Sequence, residues 1–384
     1  MLKLYNSYSK IASDLSNFFK IVYPSISKPH LKIIPDIIIG MIKAESVVTT
    51  DIIKKVKNPL LDVLPSSTER RFERFFNNDK FLNYDFFDAI IRYIINNYKI
   101  SNKNVHVAFD HMYCKDKFTT LMFSLRIGKQ GIPLWFRSFK GIDDSAAFNL
   151  ALINEGISYV HNLFSNKNCK INFLADRWFN YREIMQHIDS LGDTYYIRTK
   201  TNVSINIHNY EYSDMISSIS DIEPFLTKSK FFDSVEITSF KYPTKLAVSK
   251  TDSHNEPYFI LTNGDTRKAI KTYSYRFGSI ESIFKNQKSN GFYLEATKMR
   301  NIQAFSTLFT LVCVALLWLT ILGADYCKNQ SHFKNFFKIK VSKKNGGSFK
   351  HILSLFNTGL IFFNLAYDSC RYVNLKCNFI LYDI

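Results

Sequence analysis

Three features of the chain predict an α/β protein built on a central sheet. The stretch "NVHVAFD" (104–110) alternates as a strand does. It is followed by "FTTLMFSLRIG" and "GIPLWFRSF", separated by "KQ" between Gly128 and Gly131, which reads as a hairpin. Beyond it, helical and extended patterns take turns: "DSAAFNLALINEGISYVHNLF" as helix, "INFLAD" as buried strand, "YREIMQHIDSLG" as helix and "TYYIRTKTN" as strand.

The residues before this region carry a different pattern. Residues 1 to about 100 read as short helices punctuated by Pro24, Pro29, Pro35 and Pro65, with apolar positions at helical spacing in "LKIIPDIIIGMIKAE" and "FLNYDFFDAIIRYIINNY". A small all-helical N-terminal domain is expected over 1–100. Within it, Ser66 stands three before Glu69, a capping-box spacing that predicts a helix start near Ser67. Phe72, Phe75 and Phe76 then form its buried stripe and Arg70, Arg71 and Arg74 point outward, either as a solvated face or as contacts to nucleic-acid phosphates.

Composition narrows the partners. The 384 residues hold 50 Lys and Arg against 33 Asp and Glu, a formal charge of +17, which draws polyanions; nucleic acid leads and an anionic membrane surface comes second. With 46% hydrophobic residues the chain has ample material for a core, which argues against disorder. Cysteines at 114, 169, 313, 327, 370 and 377 form no CxxC pair and have no histidines at zinc spacing, so reduced thiols in a cytoplasmic protein are expected. The N-terminal segment lacks the apolar stretch of a secretory signal. Residues 304–324 run 21 positions without a charge, long enough to cross a bilayer, yet Ser306, Thr307, Thr310 and Thr320 interrupt them. A helix apolar on all sides also suits the centre of a large domain.

Three strands, helix, strand, helix, strand is the order of a ribonuclease H-like sheet, in which the first strand lies centrally and the strand after the first helix packs beside it. In that order Asp110 and Asp176 both end strands that are neighbours in space. Asp176 also suits the N-cap of the next helix. Two adjacent carboxylates repel unless a cation holds them, and oxygen ligands of this type suit Mg²⁺ or Mn²⁺. Residues 201 to about 266 interrupt the rhythm with "SVEITSF", "TKLAVSK" and "PYFILTN", an inserted β region. Its Lys230, Lys241, Lys245 and Lys250, interleaved with Phe231, Phe232 and Tyr242, form either a surface for a nucleic-acid strand or, in the aromatics, a small core of its own. Helix resumes over 272–301, where Glu281 and Lys288 are seven apart and project from one face. Glu295, after "SNG", is a competing third acid placed past the helix end.

With "VAFD", "FLADRWF", "YYIRTK" and "YSYRFGSIESIFKNQKSNGF" in this order, residues 104–323 resemble the DDE transposases of bacterial insertion sequences, in the group with a β-strand insertion before the last catalytic helix. The resemblance implies a ribonuclease H-like catalytic core at 101–323 with the β insertion at about 201–266. It makes Asp110, Asp176 and Glu281 the catalytic and metal-binding triad for two Mg²⁺ or Mn²⁺ ions. Tyr273, Arg276, Glu281 and Lys288 match the Tyr-Arg-Glu-Lys signature, whose basic and phenolic members contact transposon-end phosphates. Four residues, Phe277 to Ile280, separate Arg276 from Glu281 where the family has three. The implied activity is metal-dependent cleavage at transposon ends and strand transfer into target DNA, by a homodimer on double-stranded DNA. A ribonuclease H-like nuclease or resolvase without joining, and an inactive transposase-derived DNA-binding protein, are the alternatives. In the family an apolar helix follows the catalytic one and packs on the sheet, so 304–324 is expected as core and not in a membrane. Arg177 and Trp178, directly after the second Asp, lie near the displaced strand, or Trp178 is part of the core. Residues 324–384 form a basic, helical C-terminal extension: seven lysines face one Asp between 325 and 350, Gly346 and Gly347 mark a turn, and "ILSLFNTGLIFFNLA" follows.

Overall fold

The computed structural model describes residues 2–56, 64–100, 104–115, 117–141, 146–208, 213–225, 228–249, 257–328, 341–343, 349–351, 353–369 and 379–381. Five helices come first: α1 (Leu2–Val22), α2 (Lys28–Ala44), α3 (Thr49–Lys55), α4 (Pro65–Phe76) and α5 (Asn83–Asn97). Pro35 does not end a helix as its sequence position suggests but lies inside α2. A proline there leaves the carbonyl four residues earlier without its amide partner. That carbonyl, of Leu31, accepts a 2.8 Å bond from the Ser16 hydroxyl of α1, which satisfies it from outside the helix. Helix α4 starts at Pro65, whose fixed φ and missing N–H suit a first helical position, and no side chain caps it. The expected Ser66–Glu69 capping box is therefore absent. Its buried stripe is Phe72, Phe75 and Phe76 as expected.

Strands β1 (Asn104–Cys114), β2 (Phe118–Ile127) and β3 (Gln130–Lys140) form an antiparallel meander. Then come α6 (Ala146–Phe164), β4 (Lys170–Ala175), α7 (Arg182–Ser190) and β5 (Thr194–Arg198). Asp144 and Ser145, the first residues of that helical pattern, lie outside the described residues. β1 pairs in parallel with β4, and β4 with β5, so the first strand is central and the order is the expected one.

The inserted strands do not stand apart. β6 (Ile205–Ile207), β7 (Lys230–Ile237), β8 (Tyr242–Ser249) and β9 (Tyr258–Thr262) extend the sheet, because β9 pairs antiparallel with β5 through Tyr196 and Thr262. One nine-stranded mixed sheet results, in the order β3-β2-β1-β4-β5-β9-β8-β7-β6. Phe232 and Tyr242 are buried in it and the Tyr242 hydroxyl bonds Asp189 of α7, while Phe231 is exposed. Of the interleaved lysines, Lys250 lies outside the described residues.

Helices α8 (Thr266–Tyr273), α9 (Tyr275–Lys288) and α10 (Ile302–Lys328) follow. α9 and α10 cover the face of β1–β3 opposite α6: Ser279 of α9 bonds Ser124 of β2 at 2.8 Å and Phe305 of α10 stacks on Phe118. On the other face Phe123 packs on Gly156 of α6. α9 sits close to the hairpin because Gly131 leaves room for it; a Cβ there would stand 2.4 Å from the Ser279 carbonyl oxygen.

The apolar segment at 304–324 belongs to α10, a helix long and apolar enough to cross a membrane, and it is fully buried inside the protein. It packs on α2, α4, α5 and β3. Two of its polar interruptions face α5: Thr310 accepts a bond from Asn83 and Ser306 one from Tyr84. On its far side lies α11 (Leu355–Ser369), preceded by the short hairpin β10 (Val341–Lys343) and β11 (Phe349–His351). Gly346 and Gly347 lie outside the described residues. α10 and α11 touch backbone to backbone, since a Cβ on Gly323 would stand 1.9 Å from the Leu355 carbonyl oxygen and one on Gly359 1.8 Å from that of Leu319.

Candidate active site

The site is built where two parallel strands part company. β1 and β4 are paired from Asn104 and Lys170 to Phe109 and Ala175. The next residues are Asp110 and Asp176. β4 stops there, whereas β1 runs on to Cys114 along β2, so Asp110 is within its strand and not at the end the sequence pattern suggests. The separation is cooperative with the side chains. Asp176 caps a short 3₁₀ turn at 177–179 by accepting a 2.7 Å bond from the Arg177 amide, and Asp110 accepts one of 2.9 Å from the His111 amide.

Glu281 reaches the same place from α9. The helical break at Ser274 puts Tyr273 at the end of α8 and Arg276 in the first turn of α9. Arg276, only 6% exposed in its side chain, lies between two of the acids: one guanidinium nitrogen bonds Glu281 Oε1 at 3.0 Å and the other bonds Asp110 Oδ2. Its Nε has no partner. The four-residue spacing between Arg276 and Glu281 is thus bridged by the length of the arginine side chain.

Burial is the largest influence on Asp110, whose carboxyl is pushed up to about 6; Arg276 and the His111 amide oppose the shift, and the nearby charges of Asp176 and Glu281 add to it. Asp176 and Glu281 are therefore both within electrostatic reach of Asp110. Burial also raises the Tyr273 phenol, with Arg276 opposing and Asp176 adding. For Arg276, burial favours loss of the proton, but Asp110, Tyr273, Asp176 and Glu281 outweigh it and the guanidinium is held charged.

Three carboxylates are the donor chemistry a hard divalent ion takes. Their placement is not. Among the described residues no group of three His, Cys, Asp or Glu side chains is arranged to hold a metal ion, and a guanidinium stands between Asp110 and Glu281. The residues as placed do not fit the ion pair that the sequence resemblance implies.

The remaining expected residues are spread along the molecule. Lys288, at the end of α9, pairs with Glu295 at 3.0 Å beside Cys114, the last residue of β1. This takes Glu295 out of the carboxylate group. On α4, Arg71 bonds Asp36 at 2.5 Å, Arg74 bonds the Arg70 carbonyl at 3.2 Å, and all three arginines are exposed. Trp178 is 37% exposed and so does not belong to the core.

Sequence reasoning missed two things. Arg276 was expected on a phosphate, and nothing local signals its bond to an acid 166 positions away. His111 was passed over, although strand alternation turns it to the face opposite Asp110. There it stacks on Phe179 at 5.2 Å, with its Nε2 buried and unpartnered and its pKa lowered to about 4 by burial.

No protein-family model matches the chain, and neither does any curated protein. Among solved structures it is similar to Marinitoga piezophila Argonaute in complex with a 5′ OH guide RNA and target DNA, at 14% identity and a TM-score of 0.22, over 46% of this chain and 25% of that one. It is also similar to the NurA nuclease from Sulfolobus solfataricus, at 11% identity and a TM-score of 0.27, over 50% of this chain and 80% of that one. The chain thus spans a quarter of the Argonaute's length. At these TM-scores neither likeness bears on function.

Proposed function

We propose that the protein is a DDE-type DNA transposase, an enzyme that cleaves DNA at transposon ends and joins the freed 3′ end to target DNA. The observation that carries the reading is that Asp110, Asp176 and Glu281 all act on the charge of Arg276 beside the fork of β1 and β4. The strand order β3-β2-β1-β4-β5, with β1, β4 and β5 parallel, supports it as the order of a ribonuclease H-like core. The charge of +17 supports a polyanionic substrate.

On this reading, cleavage is attack of water on phosphorus with the 3′ oxygen leaving, and joining is attack of that 3′ hydroxyl on a target phosphodiester, whose own 3′ oxygen leaves and takes up the proton. Mg²⁺ or Mn²⁺ is the implied cofactor. With Arg276 between Asp110 and Glu281 no step is assigned to it. Lys288 at the end of α9 and the exposed Arg70, Arg71 and Arg74 of α4 are the proposed phosphate contacts, whereas Tyr273 and Arg276 are buried and Arg276 is taken up by two acids. A homodimer holding two DNA ends, at work in the cytoplasm, completes the proposal.

The test is a cleavage and strand-transfer assay with labelled DNA carrying the ends that flank the gene, with Mn²⁺ or Mg²⁺, beside Asp176→Ala. Nicked and joined products, both lost in the variant, are expected. Nicking without joining would replace the transposase by a nuclease or resolvase. Binding without chemistry in either protein would leave a DNA-binding protein with relic carboxylates.

A further inference from the structure

Arg276 bonds Glu281 Oε1 at 3.0 Å through one terminal nitrogen and Asp110 Oδ2 through the other. An arginine that serves a single acid offers both nitrogens to it side by side. Here they are divided between an acid on β1 and an acid on α9, so the guanidinium stands in the gap between the two carboxylates. Among the described residues no other side chain bonds either acid. The oxygens are committed accordingly. Asp110 Oδ1 takes the amide of His111, which the backbone fixes, and Oδ2, the oxygen left to face an ion, is the one that Arg276 holds. A divalent ion draws its oxygens in to about 2 Å and carries two charges. It and a guanidinium therefore exclude each other from one gap, by contact and by repulsion.

Burial orders the three groups from the solvent inward. The side chain of Glu281 is 46% exposed, that of Asp110 23% and that of Arg276 6%. An ion arriving from solvent thus meets the acids first and the arginine behind them. Arg276 is not held there by a full set of bonds, because its Nε is buried and has no partner. A buried donor is ordinarily satisfied, so the two acids hold this guanidinium at the expense of its third bonding position. Its mount also has a joint. Ser274 ends α8 and precedes α9, which puts Arg276 in a first helical turn. The amides of a first turn have no acceptor within their helix, so this end of α9 can shift with the smallest loss of helix bonds.

We propose that Arg276 is the resident counter-cation of Asp110 and Glu281 and closes their gap to divalent ions, so that an ion binds only in molecules whose Arg276 has swung out. This rests on the reading of the acids as a metal site and deepens it by assigning what regulates access. Guanidinium and ion are alternative occupants of one gap. The misfit between the acids as placed and a bound ion is then a property of the closed state, and the apparent affinity for the ion is the intrinsic one multiplied by the fraction of molecules in which the gap is open.

The experiment titrates the whole chain with Mn²⁺ alone and follows the free ion by its electron paramagnetic resonance signal, which is lost on binding. Thermal unfolding with and without Mn²⁺ is the second readout. Arg276→Gln is expected to bind Mn²⁺ roughly 10- to 100-fold more tightly than the wild type, the reciprocal of the open fraction. Mn²⁺ should raise its unfolding temperature and leave that of the wild type nearly unchanged. Arg276→Lys keeps the charge but lacks the planar fork that reaches both acids, and should fall between the two; it carries the test if Arg276→Gln does not fold. Adding Glu281→Gln to either variant should remove the gain. A wild type that binds Mn²⁺ as tightly as the Arg276 variants, with binding lost in Glu281→Gln, would overturn the closure and leave the metal site standing. No binding by any of the proteins would remove the metal site, and the closure with it.

Discussion

Helices α9 and α10 cover the same face of the same sheet, one directly after the other, and they are built on opposite terms. α10 is buried from Ala304 to Ala324, and its Ser306 and Thr310 are met by α5. Thr307 and Thr320 of α10, like Asn286 and Gln287 of α9, bury a polar atom without a hydrogen-bond partner, but of the two helices α9 alone buries a charged side chain, Arg276. A buried charge costs far more free energy than a buried hydroxyl or amide unless it is paired, and Arg276 is paired with two acids. The difference between the two helices is thus one buried charge, held by Asp110 of β1 and by Glu281 of α9 itself.

The comparison breaks most sharply at Arg276. Removing one partner of a buried ion pair leaves the other charge uncompensated, and Arg276→Gln is expected to cost about 3 kcal/mol, the lower end for such a loss, because Glu281 is 46% exposed. Chemical denaturation measures it. A variant as stable as the wild type would mean that α9 does not depend on the bridge.

Next comes the α10–α11 contact. Gly359→Ala forces a methyl group against the Leu319 carbonyl and is expected to cost about 2 kcal/mol by overpacking. DNA binding at a temperature where the variant stays folded should be unchanged. A loss of binding at full stability would show that α10 and α11 are not merely structural.

The smallest effect, counted per pH unit, sharpens the α9 side. The folded Asp110 carboxyl titrates near 6 against an ordinary 3.8, so between these values the native chain keeps a proton that the unfolded chain has lost. Its contribution to stability is greatest below this window, falls as pH rises through it, and is level above. His106 and His111, both lowered to about 4 by burial, push the other way over a similar range. The difference between wild type and Asp110→Asn isolates the carboxyl: the wild type should lose stability relative to the variant by up to about 1.4 kcal/mol per pH unit within the window. A flat difference curve would mean that Asp110 is not shifted.

What could be read from the sequence was what the chain says locally. The hairpin of β2 and β3 announces itself by alternation and by Gly128, and the burial of Phe72, Phe75 and Phe76 follows from their spacing. The strand order came from the succession of patterns, and Asp176 from its position after four apolar residues. Pairings between distant segments left no such mark. Nothing around Tyr196 indicates that Thr262 lies opposite it, so the insertion looked separate while it extends the sheet. Nothing near Pro35 reveals that Ser16 will take the Leu31 carbonyl. The overrun of β1 past β4 depends on where a different strand stops. Arg276 sits with two acids because α9 is held down by Gly131 and Ser124, each more than 140 positions away.

The placement of α10 also sets an order of events during synthesis. The ribosome completes this helix after α1 to α5 and the sheet, but before α11, which begins at Leu355. Until those later residues emerge, the stripe around Gly323 that α11 will cover has no partner. A nascent chain stopped in that interval offers the cell a long helix with a chargeless stretch from 304 to 324 and one bare flank, the signal by which membrane-insertion machinery and chaperones recognise their clients. α11 is thus what withdraws that signal, by laying its own backbone against that of α10.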